Sequence, residues 1–229
     1  MKILLATNNQ HKRIEIDGIL KQLPTTWHVI QPRELGFSFD TTEDGDTFGA
    51  NALQKATALG MLIRGTQLPG VSTDTEIPKI REIMSTTFPD GLPAVLADDS
   101  GVCVHHLDNR PGVFSARYGN KPGEPAATDT ERNALLLSEL GNTENRGAHY
   151  VCHGVLWLDE FTFFQAQHRW DGTITTEEVP GDTGFGYDPL FYMEEYSCTV
   201  SQMSQEVKDR VSHRAKVIAS LTRLAGDQA

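Results

Sequence analysis

Hydrophobic positions along this chain alternate between the spacing of a strand and that of a helix, which predicts an α/β protein. The helical spacing is clear from Ile16, where apolar residues recur at i, i+3, i+4 and i+7, and again between Thr47 and Ile63. A third helix opens with the capping box of Thr128 and Glu131. In chain order, the predicted elements are a strand at Lys2–Ala6, helices at Gln10–Leu23 and Thr47–Ile63, a helix from Thr128 that stops before Gly141, strands at His149–Leu158 and Phe161–Trp170 joined by a turn at Asp159–Glu160, and a helical stretch at Ser201–Leu224.

The least regular segment is Gly65–Pro93, which contains several Pro and Gly turn signals around a short helical piece at Lys79–Met84. We interpret it as an insertion on an α/β domain. The chain has 229 residues, so it is long enough to bury a full core, and we expect one domain of two lobes spanning residues 1–229.

Composition and charge exclude several classes of protein. Hydrophobic residues make up 38% of the chain and charged residues 22%, as in an ordinary folded protein, and no apolar run is long enough to span a bilayer. The apolar start is too short for a signal peptide. Three widely spaced cysteines indicate neither a disulfide framework nor a Cys-x-x-Cys metal site, which favours a cytoplasmic location. The formal charge of −11 argues against nucleic-acid binding.

Two adjacent carboxylates, Asp98 and Asp99, end the apolar stretch Ala94–Ala97. Like charges side by side at the mouth of a buried strand are unfavourable unless something compensates them. The pair is therefore either part of a polar turn or a place where a cation binds.

The segment ATNNQHK, Ala6 to Lys12, lies where the first predicted strand passes into the first helix. Ligands of open α/β sheets collect at the carboxyl ends of strands, and a helix N-terminus offers free N–H groups to an anion. Asn9 is a candidate N-cap, Thr7 a hydroxyl donor and Lys12 a cation one turn into the helix. A capped helix with an exposed lysine explains the same residues.

The segment EDGDTFGANALQKA places Glu43 and Asp44 just before the second helix. Acidic residues suit a helix N-terminus, so Glu43 alone is typical of a helix start as much as of a metal ligand. Lys55 lies within the helix, away from its apolar face, where a solvated lysine is the simple interpretation.

The segment TGFGYDPLFY is a loop shaped by Gly184 and Gly186 that carries Phe185, Tyr187 and Asp188. Aromatic side chains on such a loop can stack on a planar ring, and a neighbouring carboxylate can bind donor groups on the ring's edge. The alternative is a turn whose aromatic side chains fold back into the core.

The segment KDRVSHRAK gathers basic residues and His213 in an otherwise acidic protein. Ser212 is a candidate cap for a last helix whose first turn holds His213 and Arg214. Cations at a helix start oppose the helix dipole, so this segment indicates a nearby anionic or carbonyl-rich group.

Taken in order, these segments together with ADDSG, PGVFSARY and GFGYDP-x-F resemble the inosine triphosphate pyrophosphatase family. The resemblance runs from Lys2 to about Leu224. It implies an α/β fold with a long mixed sheet and two lobes around a cleft, Mg²⁺-dependent hydrolysis of ITP, dITP and XTP to the monophosphate and pyrophosphate, and a homodimer.

The resemblance also implies roles for single residues. Asp99 is expected to bind Mg²⁺ and is the candidate base, Glu43 is expected to be the second metal ligand from the other lobe, and Asp98 is expected to orient Asp99. The phosphates are expected to contact Thr7, Asn9, Lys12, Lys55, Ser100 and Lys208. Phe185 is expected to stack on the purine, with Gly186, Tyr187, Asp188, His213 and Arg214 around it.

This chain departs from the family's usual pattern at four positions. Asn8 and His11 replace glycines in the first motif, Ala50 replaces a common Glu, and Ala215 replaces Gly after His213 and Arg214. Two other functions remain as alternatives: a related pyrophosphatase with a different base preference, and a nucleotide sensor without catalysis. The segments TGFGYDPLFY and KDRVSHRAK, which the resemblance assigns to the base, argue against a different base preference. The retained Glu43 and Asp99 argue against a sensor without catalysis.

Overall fold

The computed structural model describes residues 2–24 and 26–226. The ends of the predicted domain, at Met1 and 227–229, lie outside these residues, as does Thr25. The strands are β1 (Lys2–Leu5), β2 (His28–Ile30), β3 (Asp40–Thr41), β4 (Val71–Ser72), β5 (Ala94–Val104), β6 (Arg110–Pro111), β7 (Gly147–Trp157), β8 (Phe163–Ile174), β9 (Phe191–Met193) and β10 (Cys198–Thr199). The helices are α1 (Gln10–Gln22), α2 (Phe48–Ile63), α3 (Ile77–Thr87), α4 (Asp129–Leu140), α5 (Gln205–Val211) and α6 (His213–Gly226).

The predicted helix starts are confirmed at three caps. The side chain of Asn9 caps α1, that of Thr47 accepts a hydrogen bond from the Ala50 amide at the start of α2, and Thr128 forms the predicted capping box with Glu131 on α4. None of the helices within the described residues is long and apolar enough to cross a membrane.

The C-terminal stretch is helical, as predicted, but it consists of two helices, and the second begins directly after Ser212, where the last helix was expected to start. Ser212 has an extended backbone, with φ −65° and ψ 160°, which ends α5 and lets α6 begin at His213. The predicted hairpin between β7 and β8 is confirmed, although β7 starts two residues before its expected bound and β8 ends four residues after its own.

The described strands form a long mixed sheet with the order β10-β9-β8-β7-β5-β1-β2, in which β6 pairs with β5. Strand β1 pairs in parallel with β2 and β5, whereas β9 is antiparallel to β8 and β10. Strands β3 and β4 form a separate pair. The predicted α/β class with a long mixed sheet is confirmed.

The chain divides into two compact units. The first contains the described residues of Met1–Asp99, His153–Gln167 and Arg214–Ala229, and the second contains Ser100–Cys152 and His168–His213. The division falls within strands β5, β7 and β8. The prediction of one two-lobed domain stays a prediction.

The core of the first unit is built on the apolar face of α2. Ala52, Ala56, Leu59 and Ile63 are all buried there, as their spacing predicts. The segment 65–93 contributes Val71, Ile80, Met84 and Phe88 to the same core, and its helix α3 is longer than expected. These contacts make the segment a packed part of the first unit, while its interpretation as an insertion is not tested.

The core of the second unit joins α4 to strands β5, β7, β8 and β9. Leu136 and Leu140 of α4 pack with Val102, Tyr150 and Phe191. The three cysteines are free thiols, and Cys103 and Cys152 are buried.

Candidate functional site

The segment between β1 and α1 forms a capped helix start with hydrogen-bond donors beside it. Oδ1 of Asn9 accepts hydrogen bonds from the amides of His11 (2.9 Å) and Lys12 (3.2 Å), and Oγ1 of Thr7 accepts one from the Asn9 amide (3.2 Å). The prediction of Asn9 as N-cap is confirmed. Thr7, Asn9 and Lys12 thus lie together at the N-terminus of a 13-residue helix.

Neither Asn8 nor His11 requires the backbone freedom of the glycine it replaces. In the described part of the chain, a positive φ occurs outside glycine only at Asp108, Asn109 and Ser197. Asn8 also anchors the segment, because its Nδ2 donates to the Phe39 carbonyl at 2.8 Å.

Asp98 is a buried carboxylate paired with cations of α1 and α6. Its Oδ2 lies 2.9 Å from Nζ of Lys12 and 3.2 Å from Nε of Arg214. Burial alone would raise the pKa of Asp98, but the charges of Lys12 and Arg214 hold this pKa well below its usual range. Its observed partners are thus cations, and its proposed role of orienting Asp99 receives no support from these contacts.

Arg214 connects Asp98 to a second buried acid that the sequence analysis missed. Nη1 of Arg214 lies 2.5 Å from Oε2 of Glu15, and only 2% of each of these two residues is exposed. Glu15 follows Lys12 by three positions and precedes Ile16, so it lies on the buried face of α1. An acid on an apolar helix face is the signal from which this ion pair was predictable.

Asp99, Glu43 and Lys55 come together, and all three lie in the first unit, whereas Glu43 was expected to come from the other lobe. Nζ of Lys55 lies 3.1 Å from Oε1 of Glu43 and 3.4 Å from Oδ1 of Asp99. Burial lowers the pKa of Lys55, but the charges of Asp99 and Glu43 outweigh burial, so the net shift is upward. Lys55 is therefore a buried ammonium ion between two carboxylates and not a solvated surface lysine.

Asn51 is a further residue of this cluster that the sequence analysis missed. Its Nδ2 donates to Oδ2 of Asp99 at 3.0 Å, and its Oδ1 accepts from the Gly45 amide at 2.8 Å. Asn51 precedes Lys55 by one helical turn, so a polar pair at i and i+4 on α2 was the available signal. The amide links the Asp99 carboxylate to the loop that carries Glu43.

The donor set of Glu43 and Asp99 suits a hard divalent cation. Both carboxylates already contact one positive charge, the Lys55 ammonium. Within residues 2–24 and 26–226 no cluster of three or more His, Cys, Asp or Glu side chains is arranged to hold a metal. Mg²⁺ fits such a pair, because it commonly binds one or two carboxylates and completes its shell with waters and substrate phosphates.

In the second unit, the loop 184–188 has the shape that its glycines predict. Gly184 and Gly186 have φ values of +90° and +64°. A Cβ atom on Gly184 would lie 2.5 Å from Oδ2 of Asp188, so glycine also permits this close approach. Oδ2 of Asp188 accepts a hydrogen bond from the Phe185 amide at 2.9 Å, which closes the loop.

Lys208, on α5, contacts this loop. Its Nζ lies 2.8 Å from Oδ2 of Asp188 and 4.9 Å from the centre of the Phe185 ring. The ion pair is buried, and Oδ1 of Asp188 also accepts from the Tyr150 hydroxyl at 3.0 Å. Its charge thus compensates Asp188 beside an aromatic ring, and its expected contact with the phosphates stays a prediction.

Tyr187 folds back into the core, as in the alternative interpretation of this loop, and its expected place at the edge of a base stays a prediction. It is 5% exposed within the apolar core of the second unit, and its hydroxyl donates to the Ser115 carbonyl at 2.9 Å. The only polar group of the side chain is therefore hydrogen-bonded within the protein. Tyr187 thus holds the loop in place.

His213, Ser100 and Gly186 complete the set of predicted residues in the second unit. The His213 ring stacks on that of Tyr150, whose hydroxyl donates to Asp188, with 4.8 Å between ring centres and 3° between planes. Ser100 is half-buried and follows Asp99 on β5. The peptide groups of Gly186 contact α4.

Comparison with known proteins gives consistent results. The model of the Ham1 family matches residues 3–224. The chain is 34% identical to the dITP/XTP pyrophosphatase of Treponema denticola over 97% of both chains, and 36% identical to that of Clostridium tetani over 93% of this chain and 90% of the other. The solved structure of the Staphylococcus aureus Ham1 protein matches over the full length of both chains with a TM-score of 0.73 and 28% identity.

Proposed function

The chain belongs to the Ham1 family, and on that premise we propose that it hydrolyses dITP, ITP and XTP to the nucleoside monophosphate and pyrophosphate. The resemblance to inosine triphosphate pyrophosphatases supports this reaction, as do the relatives named dITP/XTP pyrophosphatase. The observation that carries the proposal is the cluster of Glu43, Asp99 and Lys55, which pairs two carboxylates with a buried cation.

Glu43 and Asp99 would hold Mg²⁺ in this enzyme. When bound, the ion would neutralise charge on the phosphates and lower the pKa of a bound water. Asn51 holds one oxygen of Asp99 through its amide, which keeps the carboxylate oriented while the other oxygen faces Lys55.

The cations of the first unit would bind the triphosphate. Lys12 and Lys55 supply positive charge, while Thr7, Asn9 and Ser100 supply hydroxyl and amide groups for the phosphate oxygens. Asp99 would take the proton from the attacking water as the anhydride bond between the α and β phosphates breaks. The products are the monophosphate and pyrophosphate, with one water consumed.

Residues of the second unit would bind the base. Phe185 would stack on the purine, and the loop around Gly186 would carry Asp188 at the purine's edge, with Lys208 as its counter-ion. His213, and Arg214 next to it in sequence, would supply donors toward the 6-oxo group shared by ITP and XTP. ATP carries an amino group at that position, which a hydrogen-bond donor does not match.

The test is pyrophosphate release from a panel of ITP, dITP, XTP, ATP, GTP and a pyrimidine triphosphate, with Mg²⁺ and with chelator. We expect ITP, dITP and XTP to be hydrolysed at least about 100-fold more efficiently than ATP, because an unmatched buried polar group discriminates by such factors. Hydrolysis of the pyrimidine triphosphate faster than that of ITP would indicate a different base preference. Tight ITP binding without turnover would indicate a sensor.

We further propose that the enzyme is a cytoplasmic homodimer, as the family resemblance implies. The free cysteines are consistent with a reducing compartment. Sedimentation of the purified chain at micromolar concentration should give twice the mass of one chain, and a single-chain mass would contradict the dimer.

A further inference from the structure

The loop 184–188 is held from outside by two side chains of α4. The amide of Gly186 donates to Oδ2 of Asp129 at 2.7 Å, and Nδ2 of Asn133 donates to the carbonyl of Gly186 at 3.1 Å. Asp129 and Asn133 are four residues apart on α4, so they present one face of the helix to both peptide groups of a single residue.

Gly186 is the position of the loop at which such a contact has the greatest consequence. With a left-handed φ of +64°, Gly186 is part of neither a helix nor a strand. The orientation of its peptide groups therefore depends on hydrogen bonds to other parts of the chain. It lies directly after Phe185 and two positions before Asp188. A rotation at Gly186 would therefore move the stacking ring relative to the carboxylate.

Helix α4 provides a firm base for this contact. Its start is fixed by the capping box of Thr128 and Glu131, and Leu136 and Leu140, which follow Asn133 by three and seven residues on the same face, are buried in the core. Asn133 is itself only 2% exposed, and Asp129 also pairs with Arg132. Both side chains are thus held in place independently of any nucleotide.

We propose that Asp129 and Asn133 are positioning residues that set the purine-binding loop and so determine how strongly the enzyme prefers ITP to ATP. This inference rests on the proposed function. Neither residue is expected to touch the reacting phosphates, which the residues of the first unit would bind. Loss of either hydrogen bond should therefore raise KM for ITP and leave kcat nearly unchanged.

The experiment compares Asp129→Ala and Asn133→Ala with the wild-type enzyme. We expect each to raise KM for ITP about three- to tenfold and to lower the ITP-to-ATP ratio of kcat/KM by a similar factor, as for the loss of one hydrogen bond. Asp129→Asn should retain most of the wild-type ratio, because its amide oxygen still accepts from Gly186.

Two further measurements separate positioning from stability. Leu140→Val shortens a buried side chain of the same helix seven residues after Asn133, so it should lower the Tm and leave the ITP-to-ATP ratio unchanged. Hydrogen exchange of the loop peptide should be faster in Asp129→Ala than in wild type.

The proposal is overturned if both alanine variants keep the wild-type ratio, or if Leu140→Val shifts the ratio as much as they do. If the proposed function were wrong, the wild-type enzyme itself would not release pyrophosphate from ITP. The hydrogen-exchange measurement would still show whether Asp129 holds Gly186.

Discussion

The Asp99→Asn enzyme is expected to release pyrophosphate from ITP about 100- to 10,000-fold more slowly than the wild-type enzyme. A neutral amide is a poor Mg²⁺ ligand and a poor proton acceptor, and general base catalysis alone contributes a factor of this size. The fold should survive with reduced stability. An amide offers one acceptor oxygen where the carboxylate serves both Asn51 and Lys55, and an unsatisfied buried donor costs about 1–3 kcal/mol.

Three measurements make this result interpretable. Circular dichroism and the Tm establish that the variant is folded, and calorimetric titration with Mg²⁺ should show weaker binding than in wild type. The matched control is Asp90→Asn, an exposed acid in the turn after α3, which should keep normal activity. Near-normal turnover by the Asp99→Asn enzyme would contradict the role assigned to Asp99.

Replacement of Arg214 by alanine is expected to destabilise the protein and to narrow its base preference. Arg214 pairs with Glu15 and Asp98, both almost fully buried, and removal of one partner from a buried ion pair typically costs about 3–5 kcal/mol. Where the variant is folded, kcat/KM for ITP should fall more than that for ATP, because the resemblance places Arg214 near the 6-oxo group. Denaturant unfolding and paired ITP and ATP kinetics measure the two effects.

Two variants accompany this experiment. Arg214→Lys keeps the charge and tests selectivity in a more stable background, and Arg223→Ala removes an exposed arginine of the same helix as a control. Equal losses for ITP and ATP would show that Arg214 acts instead through Asp98 and Lys12, whose ion pair it shares.

The first unit shows how far a local pattern predicts a site. The cap by Asn9 joins atoms two and three residues apart, and the helix that carries Lys55 follows from its own apolar spacing. Glu43 and Asp99 were grouped by family resemblance, and the structure places both against Lys55. No local pattern indicated that Lys55 would be buried, because its burial depends on chain segments distant in sequence.

In the second unit, the shape of the loop 184–188 was predictable from its own residues, whereas its contacts with distant residues were not. The glycines of 184–188 indicated a turn, since their positive φ values are a property of the residues themselves. The pairing of Lys208 with Asp188 was not predicted, because an ammonium ion can bind a phosphate or a carboxylate equally well. Its pairing with Asp188 joins residues 20 positions apart that no helix or strand register relates.

By itself, the sequence determined the helix caps, the strand and helix alternation and the shape of the aromatic loop, because each depends on hydrogen bonds or backbone preferences within a few residues. Only the tertiary structure decided that Tyr187 turns inward to Ser115 and that Arg214 pairs with Glu15, 199 residues away. Such pairings depend on which elements become neighbours in the folded chain, as β1 and β5 do across some 90 residues. A buried charge then takes the partner that this packing places beside it, because leaving it unpaired in a low-dielectric interior costs more than any local preference provides.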